Sequence, residues 1–321
     1  MTGSADNGDT PSAVSTPCAG GRDMERSTAM TAGNRQTVTV LGLGPMGQAL
    51  AGAFLSGGHD TTVWNRTASK GDALVARGAT RAGTVTDAVT ASDLVVVCVI
   101  DYDAVQAIIE PVAEALRGKT VVNLTADSPA RARQLADWAA QRGIGYLDGA
   151  IMTPAPTIGG PVARVLYAGP RDLYEEHRET LASVGGTAAH LGTDPGRAAA
   201  HDVSLLDMFW TGMAGVVHGF ALAKAEGIDA VDLTGYAQGI VGLLPNIIAD
   251  FAKRIDEGKF TADISSIQSA AAGMDHIIHA AHNRGIDTGV LDAAAALAGK
   301  AISAGHGNES FARLAQVLYG K

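Results

Sequence analysis

The sequence is sparing with cysteine, with aromatic side chains and with positive charge. Two of its 321 residues are cysteine, 5% are aromatic, and 24 Lys and Arg stand against 33 Asp and Glu. Cys18 lies in a polar stretch and Cys98 inside an apolar run. Neither has metal-ligand spacing or the company a disulfide framework needs, so the cytosol is the default compartment. A formal net charge of −9 argues against nucleic acid as a partner, which calls for a basic footprint. No uninterrupted apolar run reaches about eighteen residues, so no segment is expected to span a membrane. Residues 1–35 are rich in Ser, Thr, Gly, Ala and Asp and lack the apolar core of a signal peptide. They read as a disordered tail, with Met24 and Met30 as alternative starts.

What is present is organised around residues 37–70. With 46% hydrophobic residues, a chain of this length suits two domains with sizeable cores. Residues 37–43 read as a buried parallel strand. Gly42, Gly44 and Gly47 follow at the spacing G-x-G-x-x-G, then a helix-period segment, 46–55, and a second strand, 61–64. That order makes the glycines a dinucleotide-binding fingerprint. Gly42 makes the tight turn, Gly44 admits a pyrophosphate to the backbone, and Gly47 lets the helix pack on the strand. The helix start offers free N–H groups and a positive dipole end. Leu43, Pro45 and Met46 complete the loop as cofactor-binding candidates. A carboxylate ending the second strand would hold the ribose hydroxyls of NAD and repel a 2′-phosphate. Here the strand ends in Asn65, Arg66 and Thr67, with Lys70 one turn on. Arg66 can stack on adenine and fork onto phosphate oxygens, so NADPH is the expected cofactor.

Strand and helix keep alternating. Helices are expected at 69–77, 85–91, 102–110 and, opened by Pro129, 130–142. Strands are expected at 93–100, 120–124, 146–150 and, past a Pro/Gly loop at 151–161, 165–168. This is an α/β pattern, a doubly wound parallel sheet with right-handed crossovers. Ligands bind at the carboxyl edge of such a sheet, so Val99 and Thr125 join the cofactor-binding candidates. From Gly196 strand signals vanish, and helices are expected at 196–226, 230–256, 263–284, 287–304 and 308–319. The first would be roughly 45 Å long at 1.5 Å per residue. Its apolar residues lie on most faces, and Gly212, Gly215 and Gly219 read as close-packing positions. The helices after it are too few to bury it, which predicts an interlocked homodimer. The domain reading is a tail, 1–35; a Rossmann-type NADP-binding domain, 36–195; an interdomain helix, 196–226; and an all-helical dimerisation domain, 227–321.

Over residues 37–319 the chain resembles the β-hydroxyacid dehydrogenase superfamily, which includes 6-phosphogluconate dehydrogenase, and within it the NADPH-dependent imine reductases. The resemblance rests on Gly42-Leu43-Gly44-Pro45-Met46-Gly47, on Trp64-Asn65-Arg66-Thr67 with Lys70, and on the two-domain layout. Hydroxyacid dehydrogenases carry Asp-Ala-Pro-Val-Ser-Gly-Gly after the last Rossmann strand. Here Asp148-Gly149-Ala150-Ile151-Met152-Thr153-Pro154 lacks the Ser-Gly-Gly. They also place a catalytic lysine early in the long helix. Here the matching run is Gly196-Arg197-Ala198-Ala199-Ala200-His201, and no lysine occurs between Arg197 and Lys224.

Asp207 lies seven residues after Ala200, two turns on, with Ser204 and Thr211 on its stripe. The resemblance makes it the proton donor and iminium stabiliser of an imine reductase, and its being aspartate resembles the (R)-selective group. A carboxylate attracts an iminium cation that a lysine would repel. Leu206, Met208, Phe209 and Trp210 beside it argue for burial, and burial would raise its pKa. Met208, Trp210 and Thr211 are the substrate-pocket candidates. Asp202 lies roughly 140° round the helix from Asp207 and is expected to face elsewhere. His218 reads as a satisfied core histidine. His276, His279 and His282 lack a matching carboxylate or cysteine, so no metal is expected. The implied activity is reduction of cyclic imines such as 2-substituted 1-pyrrolines. A divergent hydroxyacid dehydrogenase and a non-catalytic NADPH-binding sensor stay open as alternatives.

Overall fold

The structure, a computed structural model, describes residues 36–319; the tail reading for residues 1–35 lies outside the described residues. Contacts divide the chain into two units. One holds the chain through Thr125 together with Arg133–Pro195, the other Ala126–Ala132 together with the chain from Gly196 onward.

In the first unit β1 (Thr37–Leu41), β2 (Asp60–Trp64), β3 (Thr80–Arg81), β4 (Leu94–Val97), β5 (Thr120–Asn123), β6 (Gly145–Ile151), β7 (Arg164–Ala168) and β8 (Thr187–His190) form one sheet. Its order is β3-β2-β1-β4-β5-β6-β7-β8. The helices between are α1 (Pro45–Ser56), α2 (Asp72–Val75), α3 (Val85–Thr90), α4 (Tyr102–Ile109), α5 (Ala113–Leu116), α6 (Pro129–Ala140) and α7 (Arg171–Leu181). From β3 to β6 every pairing is parallel, and the order reverses between β1 and β4. That switch point is where a Rossmann sheet opens a crevice for its ligand. Val38, Val40 and Leu41, all of β4, and Val122 and Leu147 are at most 1% exposed. A sheet covered on both faces produces such continuous apolar runs.

Beyond β6 the parallel expectation is corrected. β7 runs antiparallel to β6, because loop 152–163 joins them where a parallel pair would need a crossover helix. β8 then pairs parallel to β7. Neither α7 nor β8 was expected. Thr187-Ala188-Ala189-His190 carries little strand propensity, and α7 is heavily charged. The helix expected at 69–77 shrinks to a 3-10 turn, Ala68–Gly71, and the four-residue α2.

The second unit holds α8 (Gly196–Ala225), α9 (Ala230–Val241), α10 (Leu244–Glu257), α11 (Ile267–His282), α12 (Gly289–Ser303) and α13 (Leu314–Leu318). The single helix expected at 230–256 breaks between α9 and α10. Pro245 has no N–H to give and sits in the first turn of α10, where none is needed. Arg254 ties α10 to the following loop through Asp250 (2.6 Å), Asp263 (2.7 Å) and the Thr261 carbonyl. Ile267, Ala298, Ala301 and Leu314 form a small core.

That core leaves much of the unit uncovered. α8 buries Gly196, Ala198, Ala199, Asp202 and Ala223, while α9 and α10 bury no residue. An alanine methyl at Gly212, Gly215 or Gly219 would meet nothing within 4 Å, so these positions are not packed against other described residues, against the close-packing expectation. By length and composition α8 could cross a membrane, with an 18-residue window of mean hydropathy 1.3 and none of that window buried. Polar residues interrupt this stretch, so a search for unbroken apolar runs passes over it.

Candidate active site

The glycine loop after β1 gives each glycine a different task. Gly42 has φ +98°, and a Cβ there would lie 2.2 Å from the Cys98 carbonyl oxygen and 2.6 Å from Val99 Cγ1. A Cβ on Gly47 would lie 2.0 Å from the Gly42 carbonyl oxygen, so the start of α1 rests directly on the turn. A Cβ on Gly44 would meet nothing within 4 Å. The space in front of Gly44 is open to a ligand. Gly44 caps α1 without a side-chain bond, and the first turn holds Pro45 and no acidic residue. The amides of Met46 and Gly47 therefore lie in the first turn, at a positive helix end that no acidic side chain there offsets. Leu43 is buried in the core beneath the loop.

Asn65 ties this loop to the end of β2. Its Oδ1 accepts from Leu43 N–H at 3.0 Å and its Nδ2 donates to the Thr67 carbonyl at 3.0 Å. Gln48 Nε2 donates to the Leu43 carbonyl at 3.1 Å. Arg66, Thr67 and Lys70 are exposed beside this clasp. The Arg66 and Lys70 side chains have no hydrogen bond or ion pair among the described residues. Two cations without counter-charge, next to an open glycine loop, suit a phosphate on the ribose. Thr125 is buried, and its Oγ1 accepts from Val99 N–H at 3.1 Å. The structure thus joins the cofactor candidates of β1, β2, β4 and β5 into one contiguous edge. Cys98, under the turn, is a buried thiol whose pKa burial pushes up to about 11.

The remaining candidates lie on α8, in the other unit. Asp207 is exposed, against the expectation of burial, and accepts a long bond of 3.5 Å from Thr211 Oγ1. Met208 is 62% and Trp210 65% exposed, with Phe209 edge-on to Trp210 at 5.1 Å. The apolar neighbours are there, but the described residues leave them largely uncovered. Ser204 spends its hydroxyl on the Ala200 carbonyl. The carboxylate that α8 does bury is Asp202, 5% exposed, and that burial raises its pKa. Sequence reasoning set it aside by measuring its angle from Asp207, which assumed that Asp207 marks the inward face. His218 is half-buried, and its Nε2 has no partner among the described residues, so it is not the satisfied core histidine expected. His282 bonds Thr288 Oγ1 at 3.0 Å. Among the described residues no three His, Cys, Asp or Glu side chains converge on a metal position.

An open nucleotide cradle on a doubly wound sheet, followed by a helical unit whose long first helix holds carboxylates and no lysine before its last turn, defines a two-part nicotinamide-dependent oxidoreductase. Comparison with known proteins narrows this. Residues 37–192 match the NAD binding domain of 6-phosphogluconate dehydrogenase, and residues 194–320 match the family described as NADPH-dependent reductive aminase-like, C-terminal domain. An NADPH-dependent reductive aminase of Aspergillus oryzae is 34% identical over 86% of this chain and 95% of its own length. An imine reductase from Myxococcus stipitatus, solved with NADP+, is 40% identical with a TM-score of 0.85, over 88% of this chain and 99% of that one. A reductive aminase from Aspergillus terreus, solved with NADPH and ethyl levulinate, is 34% identical with a TM-score of 0.84, over 89% and 100%. The chain belongs to the NADPH-dependent imine reductase and reductive aminase family, within the 6-phosphogluconate dehydrogenase-like superfamily.

Proposed function

We propose that this chain reduces imines, mainly cyclic ones such as 2-substituted 1-pyrrolines, to amines at the expense of NADPH. One observation carries the reading: a glycine cradle flanked by unpaired Arg66 and Lys70 occurs with an α8 that has carboxylates and no lysine before Lys224. The open approach to Gly44, the bare start of α1 and the two free cations fit a 2′-phosphorylated dinucleotide. Gly42, Leu43, Gly44, Pro45, Met46, Gly47, Asn65, Arg66, Thr67, Lys70, Val99 and Thr125 would hold it. When bound, NADPH supplies the hydride. The chain's own share is to orient the dinucleotide, to attract a basic or cationic C=N group and to hold a proton for its nitrogen. Carboxylates serve both of the last two tasks, and a lysine would repel an iminium ion.

We assign the carboxylate to α8. Asp207, with Met208, Trp210 and Thr211 as the pocket wall, remains the position that the family resemblance points to, and the (R)-preference rests on it. A second reading, Asp202 as donor, is favoured by its burial and raised pKa. The apolar faces of α8, α9 and α10 support a homodimer of interlocked helical domains, with residues 196–226 as the interdomain helix and the active site completed between subunits. A second copy covering α8 also accounts for its apolar length without a membrane, and the scarcity of cysteine suits the cytosol. Purified protein should consume NADPH with 2-methyl-1-pyrroline and sediment as a dimer. Oxidation of a 3-hydroxy acid in place of imine reduction would overturn the reading. Tight NADPH binding with no turnover on either substrate would favour a sensor.

A further inference from the structure

The carboxyl ends of β4 and β5 are joined to β6 and the start of α4 by a buried polar relay. Asp148, in mid-β6 and in register with Asn123 at the end of β5, is 1% exposed and accepts on Oδ1 from Tyr102 OH at 2.5 Å and from Tyr146 OH at 2.9 Å. Tyr146 has one phenol proton and gives it to Asp148. Its oxygen is then free only to accept, and Asn123 Nδ2 donates to it at 3.2 Å. That orients the Asn123 amide, whose Oδ1 accepts from Thr125 N–H at 3.1 Å. Thr125 Oγ1 in turn accepts from Val99 N–H at 3.1 Å, and its own proton has no acceptor among the described residues.

The polarity of the relay is set at Asp148. A carboxylate is acceptor-only, so every donor upstream must point toward it. Burial first, and then the charge of Asp148, hold the Tyr146 phenol well above its ordinary pKa, so it stays a donor at working pH. Tyr102 also opens α4, the helix that follows the Val99 loop, so the loop is pinned at its far end by the same carboxylate. Its near end is pinned by Cys98 N–H to the Leu41 carbonyl at 2.9 Å. A sheet interior needs none of this. The neighbouring strand positions Val122 and Leu147 are wholly buried and apolar, and a buried carboxylate ordinarily costs more than an apolar substitute. Such a network earns its place by specifying one geometry, and it lies at the sheet edge where ligands bind.

We propose that Asp148, Tyr146, Tyr102 and Asn123 are positioning residues that set Val99 and the Thr125 hydroxyl against the nicotinamide end of the dinucleotide. The proposal rests on the reading that Val99 and Thr125 border the cofactor. Tyr146→Phe removes one oxygen from the relay and keeps its shape, and Tyr102→Phe does so at the other phenol. Misplacement of a reacting group by about 1 Å costs up to about 100-fold. With NADPH and 2-methyl-1-pyrroline, Tyr146→Phe is therefore expected to lower kcat about tenfold while the NADPH Kd stays within about threefold. The nicotinamide fluorescence of bound NADPH should change in the same variant, and Thr125→Ala should reproduce that change. Tyr167→Phe, which removes another buried phenol outside the relay, should alter neither. Fluorescence and kcat both within about twofold of the parent in the two relay variants, with only a lower Tm, would overturn the proposal. If the parent binds NADPH but turns over no imine, the functional reading falls, and the fluorescence comparison still decides the role of the relay.

Discussion

Alanine at Gly44 and at Gly47 should separate cofactor binding from stability, although both glycines belong to one motif. Gly47 sits where a Cβ would come 2.0 Å from the Gly42 carbonyl oxygen. An ordinary contact is well over 3 Å, so the start of α1 must lift from β1 by more than about 1 Å. Overpacking of this kind costs about 1–3 kcal/mol, and each kcal/mol is about 2–4 °C of Tm for a unit of this size. A loss of roughly 2–12 °C is expected for Gly47→Ala. Gly44 has φ −65° and ψ 177°, which alanine adopts freely, and its Cβ would meet nothing within 4 Å. Losing glycine's unfolded-state entropy favours the variant by about 0.4–1 kcal/mol, and losing glycine as N-cap opposes by a similar amount. Its Tm should stay within about 2 °C. The same methyl occupies the space a pyrophosphate would enter, so the NADPH Kd should rise at least about tenfold, or about 1.4 kcal/mol. Thermal unfolding by circular dichroism and NADPH titration by fluorescence read the two effects separately. A Gly44→Ala protein that loses Tm as Gly47→Ala does, or that binds NADPH as the parent does, would refute the reasoning.

Three further outcomes follow from other parts of the structure. Arg66→Ala should raise the KM for NADPH about 10-fold or more through the lost charge-assisted bonds, and leave that for NADH within about threefold; equal effects on both cofactors would remove the argument for the 2′-phosphate. Tyr167→Phe should stabilise the protein by about 1 kcal/mol, because the Tyr167 hydroxyl is buried with no partner among the described residues, and a lower Tm would show that it has one. His177 is buried with neither ring nitrogen bonded among the described residues, and burial lowers its pKa. Its unfolded value lies near 6.5, so below that pH the unfolded chain takes up the proton first, and stability falls as pH drops. His177→Leu should flatten that slope of Tm against pH, and an unchanged slope would place its origin elsewhere.

The glycine cradle was legible because its signals are local. Spacing, a buried strand and a following helix all fall within residues 37–64, and each glycine's task follows from backbone geometry. The strand runs of β4 and β5 were legible for a related reason, since a sheet covered on both faces leaves no polar alternation to misread. The direction of β7 was not, because a four- or five-residue strand reads the same either way and only the connecting loop decides. α7 and β8 escaped because charge and alanine hide their periods. The relay through Asp148, Tyr146, Tyr102 and Asn123 joins residues from two strands and a helix, and no spacing in the chain announces it. On α8 the sequence identified the helix but not which face is covered. An apolar residue such as Trp210 signals burial somewhere, and only the fold shows that the described residues do not supply it.

The two carboxylates of α8 place opposite demands on assembly. They stand five positions apart, roughly 140° round the helix, so one helix cannot turn both toward a single reacting nitrogen. A general acid must keep its proton near the working pH. Asp202 is moved toward that condition within one chain, since burial already raises its pKa. Asp207 is exposed beside Met208 and Trp210, and in the proposed dimer the desolvation it would need would come from a second subunit covering those side chains. The donor's titration is therefore either a property of the single chain or one created by dimerisation. With a neutral imine, activity is lost as pH rises through the donor's pKa, which gives kcat a basic limb. If Asp202 is the donor, Asp202→Asn should flatten that limb at a low plateau and Asp207→Asn should leave its midpoint unchanged. If Asp207 is the donor the two variants exchange behaviour, and a preformed iminium ion, which needs no proton, should restore most of kcat in the Asp207→Asn protein. A limb that survives in both variants would remove both carboxylates from the donor role.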